Sequence, residues 1–510
     1  MAKPNVLQRL LLLVGLVFLT QITGCSGRVG GGLAVSPALK TPSTALDPDP
    51  NTLLARKIMP LTAAHPGRSG FYLLHNNIEA LAARLLLAQR AERSIDLQYY
   101  LLHADLTGHV FVEHLLKAAD RGVRVRMLLD DITTKGHDPG MAALDSHPRI
   151  EIRIFNPFSR GMGRWWSIVT DLGRVNHRMH NKSMTFDNQA TIVGGRNIGD
   201  EYFDARTDKN FNDLDILGVG PVVQDVSRAF DAYWNSAAAV PVQALVGPPR
   251  QPQDLDRLRT YITAQADEAR QTTYRAAFES SLSELLALQP DILKWEEWTL
   301  VVDPPEKAQP GFEDRGSEQL NLQLRPTAES AQTELVVVSP YFVPRDNTVE
   351  RFRRLLQRGV RVVIVTNSLS STDVTPVHAG YSRYRKALLE AGAELWEVRA
   401  DFTQRERQRR GLGYSAASLH TKAFAVDRRY LFVGSFNFDP RSVDINTEMG
   451  IVVDSPSLAA PAVNRLLAVL PESAYRLRLD ADGDIEWVGQ ENGAEVVYRT
   501  EPHTGFWRRF

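Results

Sequence analysis

The chain has 510 residues, 43% of them hydrophobic and 23% charged, the balance of a globular protein with room for two or three domains. A formal net charge of −1 argues against a broadly basic nucleic-acid binder, which carries a surplus of lysine and arginine. The single cysteine, Cys25, excludes an intramolecular disulfide.

In chain order, the first element is an apolar run from Leu10 to Leu19, preceded by Lys3 and Arg9. Roughly ten residues are too few to span a bilayer but match the apolar core of a secretory signal. The run leads into Ile22-Thr23-Gly24-Cys25, which resembles a bacterial lipobox, where the cysteine becomes a lipidated N-terminus. Residues 1–25 are expected to be a lipoprotein signal peptide. The protein is then a periplasm-facing membrane lipoprotein. Ser26, in place of Asp after the cysteine, points by the same resemblance to the outer membrane. Residues 26–65, rich in Gly, Pro, Ser and Thr, are expected to be a flexible tether.

Folding is expected to begin near Ser69, with a first lobe over residues 66–247. Helical spacing of leucine and alanine covers Asn76 to Arg93, and Ser94 to Leu101 reads as a buried strand. Thr107 to Arg121 reads as a helix closed by Gly122, and Val123 to Leu129 as the next strand. The same unit recurs as a strand at Leu335 to Phe342, a helix at Thr348 to Arg358, Gly359, and a strand at Val360 to Asn367. Arg-Gly-Val-Arg-Val occurs at 121–125 and again at 358–362, so whole α/β lobes repeat. Strands joined by helical crossovers imply a mixed or parallel sheet covered on both faces. Residues 248–320 are expected to be a connector with helices at 252–288, and residues 321–510 a second lobe.

The sharpest signal lies inside these lobes. His180, Lys182, Asp187, Gly194, Gly195 and Asn197 recur as His420, Lys422, Asp427, Gly434, Ser435 and Asn437, each 240 residues on. Two copies at one offset suggest two half-sites, each giving a histidine to a shared centre. Such a pair suits chemistry at a phosphate diester: one imidazole attacks, the other protonates the leaving group, and the lysines hold anionic oxygens. Residues i and i+2 of a strand share a face, so each histidine projects with its lysine. The asparagines can donate to a phosphate oxygen. Asp187-Asn188-Gln189 and Asp427-Arg428-Arg429 read as turns, so both aspartates are expected to bond backbone or basic groups there, although they belong to the motif. Each histidine also needs an acceptor behind it; the candidates are Asp213 or Asp215, and Glu448. His103, His109 and His114 read as surface or helix residues.

With both motifs complete (HNKSMTFD with GGRN, HTKAFAVD with GSFN), the chain resembles the phospholipase D superfamily over residues 70–505. It is more closely similar to the bacterial C-type cardiolipin synthases, through LQYYLLHADLTG, MHNKSMTFDNQATIVGGRNIGDEYF and SFNFDPRSVDINTEMG. The resemblance implies two pseudo-symmetric α/β lobes with the active site at their interface. It implies that His180 attacks phosphorus to form a phosphohistidine while His420 serves as acid and then base. By the same resemblance Lys182, Lys422, Asn197, Asn437 and Ser435 line the phosphate, and Asp213 and Glu448 orient the imidazoles. It implies no cofactor and no metal, and phospholipid substrates, phosphatidylglycerol with phosphatidylethanolamine as a candidate donor. Gly195 departs from the pattern, which has serine at that place, and is expected to contribute backbone only. The reading is a phosphatidyltransferase of cardiolipin-synthase type. Its rivals are a phospholipid hydrolase, a nuclease, and a lipid-binding scaffold. Trp165-Trp166 suits a membrane-touching loop or a packed one, and Arg405 to Gly411 suits attraction of anionic headgroups or plain solvation. The tail from Thr504 to Phe510 suits packing on the core, the favoured reading, or contact with a membrane.

Overall fold

The computed structural model describes residues 40–160, 171–269, 275, 278–280, 292–309, 311–312, 319–400, 416–491 and 493–505. The expected signal peptide, the Trp165-Trp166 segment, the Arg405–Gly411 run, most of 270–288 and the last five residues lie outside them. Every element below lies within residues 37–510.

Eighteen strands of the described residues form one sheet. The first half supplies β1 (Ser69–Leu74), β2 (Ser94–Tyr99), β3 (Arg124–Asp130), β4 (Ile150–Phe155), β5 (Ser183–Phe186), β6 (Ala190–Gly194), β8 (Asp215–Val219) and β9 (Ala239–Pro241), with β7 (Lys209–Asn212) standing outside the sheet. The second half supplies β10 (Lys294–Val302), β11 (Glu334–Val338), β12 (Arg361–Asn367), β13 (Glu394–Val398), β15 (Ala423–Val426), β16 (Tyr430–Gly434), β17 (Met449–Asp454), β18 (Ala474–Leu479), β19 (Ile485–Glu491) and β20 (Ala494–Tyr498), with β14 (Ala416–Leu419) paired to β7.

The pairings run β9-β4-β3-β2-β5-β6-β8-β1 through the first half. They run β10-β17-β16-β15-β11-β12-β13-β18-β19-β20 through the second. The two runs are the same order read outward from the antiparallel β1–β10 pair, which is the joint. Three parallel strands per half (β2-β3-β4 and β11-β12-β13) follow from the β-α-β crossovers, and the remaining strands are antiparallel. Strands buried on both faces read as near-continuous apolar runs, as in Leu335–Val338.

Each half has its own apolar core. A third cluster crosses the joint, bringing Phe71, Val193 and Ile216 together with Val336, Val363 and Val433. The helices Asn77–Arg90 and Leu106–Asp120 cover one face of the first half, starting at caps Asn76 and Asp105 whose side chains accept backbone N–H groups.

Two expectations are corrected. Residues 40–65 do not read as tether: Leu53–Ala63 is a helix capped by Thr52. Ahead of it, Thr41 O accepts from Arg153, Ser43 bonds Arg126 and Trp234, and the Ala45 N–H donates to Asp231. The partners are 83 to 191 residues away, so local composition gave no sign of them. The second lobe begins before residue 321, because β10 lies inside the expected connector, while the helix expected there is present. Helix Asp254–Ala269 packs on helix Leu106–Asp120, with Arg259 ion-paired to Asp120. β10 is the joint strand, equivalent to β1 of the first half.

Candidate active site

Both motif histidines come just before a strand rather than within one: β5 begins at Ser183 and β15 at Ala423. Their backbones are fixed across the joint in matching ways. The His180 N–H donates to Thr447 O at 2.9 Å, and the His420 N–H donates to Asn212 O at 2.8 Å. The next residue in each case is the carboxylate that meets the imidazole of the same histidine. His180 Nδ1 lies 2.8 Å from Glu448 Oε2, and His420 Nδ1 lies 2.5 Å from Asp213 Oδ2. Each half therefore holds the other half's histidine. With Nδ1 facing a carboxylate, Nε2 is the atom left for chemistry.

Asp213 and Asp215 are now told apart. Asp213 stands between β7 and β8 and faces His420, whereas Asp215 is wholly buried in ion pairs with Arg84 and Arg196. Alternation along one strand fails here because β7 belongs to the small two-stranded sheet and β8 to the large one.

Glu448 is the more heavily braced carboxylate. Ser435 Oγ donates to Oε2 at 2.5 Å and Ser442 Oγ to Oε1 at 2.7 Å. Its N–H donates to Asp303 Oδ2 at 2.9 Å, and Asp303 in turn takes Lys307 Nζ. Ser435, expected on the phosphate, is thus committed to the carboxylate.

The two lysines lie beside the histidines, each with Nζ 2.5 Å from the carbonyl oxygen of its own motif histidine. Burial drives Lys182 well below the usual lysine range, against the pull of Glu448, with Lys422 adding to the depression. Lys422 is lowered for the same first reason. Burial pushes the His180 imidazole down to about 4, opposed by Glu448 and helped by Lys182. His420 is lowered by burial and by Lys422, against Asp213. Burial alone would raise the two carboxylates, yet Lys422 and His420 hold Asp213 below the usual range, and His180 and Lys182 do so for Glu448. Cations and carboxylates are poised against each other in a site from which water is nearly excluded.

The asparagines differ. Asn197 is occupied: Oδ1 accepts the Leu101 N–H at 3.1 Å, and Nδ2 donates to Tyr202 Oη at 2.9 Å. Asn437 Oδ1 is buried without a hydrogen-bond partner.

Asp187 and Asp427, which belong to the motif, do not supply the centre. Asp187 accepts the N–H groups of Glu92, Arg93 and Ser94, and Asp427 those of Gln332, Thr333 and Glu334. Both sit in turns whose two central residues have positive φ, near 51°. That geometry tolerates Asp and Asn and matches strand twist.

Several neighbours carried no sequence signal. Tyr100 packs edge-on against His180 at 5.0 Å, with Lys182 Nζ 5.4 Å from its ring centre. Tyr202 and Phe211 flank His420 at 5.2 and 5.0 Å. An aromatic residue ahead of a turn has many bland explanations, and only its position beside the imidazole singles it out.

The family model described as "Cardiolipin synthase, PLD-like domain" matches residues 85–234 and 324–468, spanning both histidines and both orienting carboxylates. The chain is 42% identical to "Cardiolipin synthase C" of Escherichia coli (strain K12) over 458 residues, 89% of this chain and 96% of that one. It is 32% identical to an uncharacterized protein of Helicobacter pylori (strain ATCC 700392 / 26695) over 97% of this chain and 96% of that one. Among solved structures, phosphatidylserine synthase of Haemophilus influenzae Rd KW20 shares the fold, with a TM-score of 0.54 at 14% identity over 83% of this chain and 92% of that chain. With its two half-sites interlocked by Glu448 and Asp213, the chain belongs to the cardiolipin synthase family of phospholipase D-like proteins.

Proposed function

We propose that this protein is a phosphatidyltransferase that moves a phosphatidyl group from one phospholipid to the terminal hydroxyl of phosphatidylglycerol, giving cardiolipin. The observation that carries the reading is the interlocked pair: two buried imidazoles, each with Nδ1 on a carboxylate from the opposite half and a lysine beside it. In this reading His180, held neutral by burial, attacks phosphorus through Nε2. The phosphorus–oxygen bond to the donor's headgroup breaks as His420 gives that alkoxide a proton. The phosphohistidine then accepts the hydroxyl of phosphatidylglycerol, whose proton passes back to His420. Two in-line displacements leave the configuration at phosphorus unchanged. Lys182 and Lys422 face the growing negative charge, and Asn437 offers an amide close by. The charge change is met by side chains the fold has already placed, so little reorganisation is needed at the moment of reaction.

Phosphatidylethanolamine is the proposed donor, and membrane attachment through a lipidated Cys25 the proposed address, at a periplasm-facing surface. The address rests on the apolar run and the Ile22–Cys25 tetrad. Replacing Cys25→Ser is expected to move the protein from the membrane to the soluble fraction; retention on washed membranes would refute the lipid anchor.

The deciding assay offers labelled phosphatidylglycerol to purified protein, with and without phosphatidylethanolamine, and compares wild type with His180→Ala. Cardiolipin that needs His180 supports the transferase, and its dependence on phosphatidylethanolamine identifies the donor. Phosphatidic acid alone would make the protein a hydrolase and overturn the reading.

A further inference from the structure

We propose that Gly195 is a positioning residue: the space left by its missing side chain is where the Asp213 carboxylate folds to hold His420. The two half-sites then set their imidazoles with two length-matched pairs, glycine with aspartate in the first and serine with glutamate in the second.

The register makes the pairs equivalent. The Gly195 N–H donates to Leu214 O and the Ser435 N–H to Met449 O, so Asp213 and Glu448, one residue earlier in each case, occupy matching places. In the second half-site the side chain of Ser435 touches its carboxylate and donates to it. In the first there is no room for one. A Cβ on residue 195 would lie 2.3 Å from Asp213 Oδ1, 2.7 Å from Oδ2 and 2.8 Å from Cγ. The carboxylate cannot step aside without cost, because it is fully buried. Its Oδ2 holds His420, and its Oδ1 accepts the Leu214 N–H at 2.8 Å. Backbone conformation does not account for the glycine, since Gly195 is absent from the positive-φ residues. Aspartate is one methylene shorter than glutamate, so its carboxylate lies against the strand where the serine stands in the other half. The loss of the usual serine at 195 is thus matched to the acid at 213.

The test uses the full chain with labelled histidine rings, read by NMR; the His420 signal is identified by its loss in His420→Gln. Gly195→Ala is expected to remove the far-downfield Nδ1 proton of His420 and to lower its pKa further, because the carboxylate that favours the imidazolium is displaced. Turnover should fall by up to about 10⁴-fold, the loss seen when a catalytic histidine loses its orienting acid. Gly195→Ser/Asp213→Glu, which rebuilds the second half's pair, should restore the downfield proton and recover at least about tenfold of what Gly195→Ser loses, roughly one decade of that loss. An unchanged His420 signal in Gly195→Ala, whatever happens to turnover, overturns the proposal. So does a double variant no better than Gly195→Ser. Where the single variants do not fold, the double variant decides: folded with the downfield proton it supports the pairing, and without that proton it refutes it. The kinetic arm rests on the phosphatidyl-transfer reading and the spectroscopic arm does not. A wild type without lipid product would sink that reading and leave this one open to the NMR result.

Discussion

His180 and Lys182 share one constraint: a base and a cation have been brought into the same dry centre. The fold favours the neutral imidazole, lowering it from 6.5 to about 4 through burial, with Lys182 assisting and Glu448 opposing. Between those two values the unfolded chain binds a proton that the native site refuses, so this group's contribution to stability rises with pH across that window. The His180 ring is expected to stay neutral at pH 6 by NMR titration; a protonation midpoint at or above the free-histidine value would contradict the geometry. Lys182→Ala should leave the circular dichroism unchanged and reduce turnover about 10²–10³-fold, the usual loss when one preorganised donor is removed. An unaltered rate would mean that Lys182 does not reach the phosphate. The motif residues were legible because they repeat at a fixed offset. Their partners were legible as candidates, Glu448 and Asp213, but not which acid meets which imidazole: Glu448 is 268 residues from His180, and telling Asp213 from Asp215 by alternation fails where a strand changes sheets.

At the level of single elements, the motif aspartates act as turn locks. Asp187 gathers three backbone N–H groups from the segment leading into β2, which ties the hairpin carrying Lys182 to the neighbouring strand. Removing it leaves those donors, of which the Ser94 N–H is buried, without their acceptor, so Asp187→Ala should cost about 1–3 kcal/mol in urea unfolding. The turnover of the folded fraction should stay close to wild type. A stable but inactive variant would instead place Asp187 in the chemistry. The turn itself was readable from Asp187-Asn188, residues that accept positive φ. Helix Leu53–Ala63 was hidden by a proline inside it and by a composition that reads as linker. β10 was hidden because its pairing partners, β1 and β17, lie far apart in the chain.

At the scale of the whole molecule, the main sheet of the described residues is two half-sheets joined edge to edge at the β1–β10 pair. At the joint Gly70 faces Trp295, and a side chain at Gly70 would meet that indole at 3.1 Å and Val219 at 3.0 Å. Gly70→Val should therefore overpack the seam and cost about 1–3 kcal/mol, read as a lower urea midpoint. Because each half supplies the acid for the other's histidine, loosening the seam should also lower turnover. A less stable variant with full activity would show that the joint does not set the site.

The sequence by itself determined the chemistry and the duplication: which histidines and lysines recur, that each sits in an α/β lobe, and that the aspartates belong to turns. These follow from local periodicity and from a repeat visible in one dimension. Tertiary structure alone decided which acid orients which imidazole, that Ser435 serves Glu448, and that the halves exchange their carboxylates across a shared seam. Those facts depend on strand order and register, which are set by pairings between residues hundreds of positions apart and leave no periodic trace in the chain.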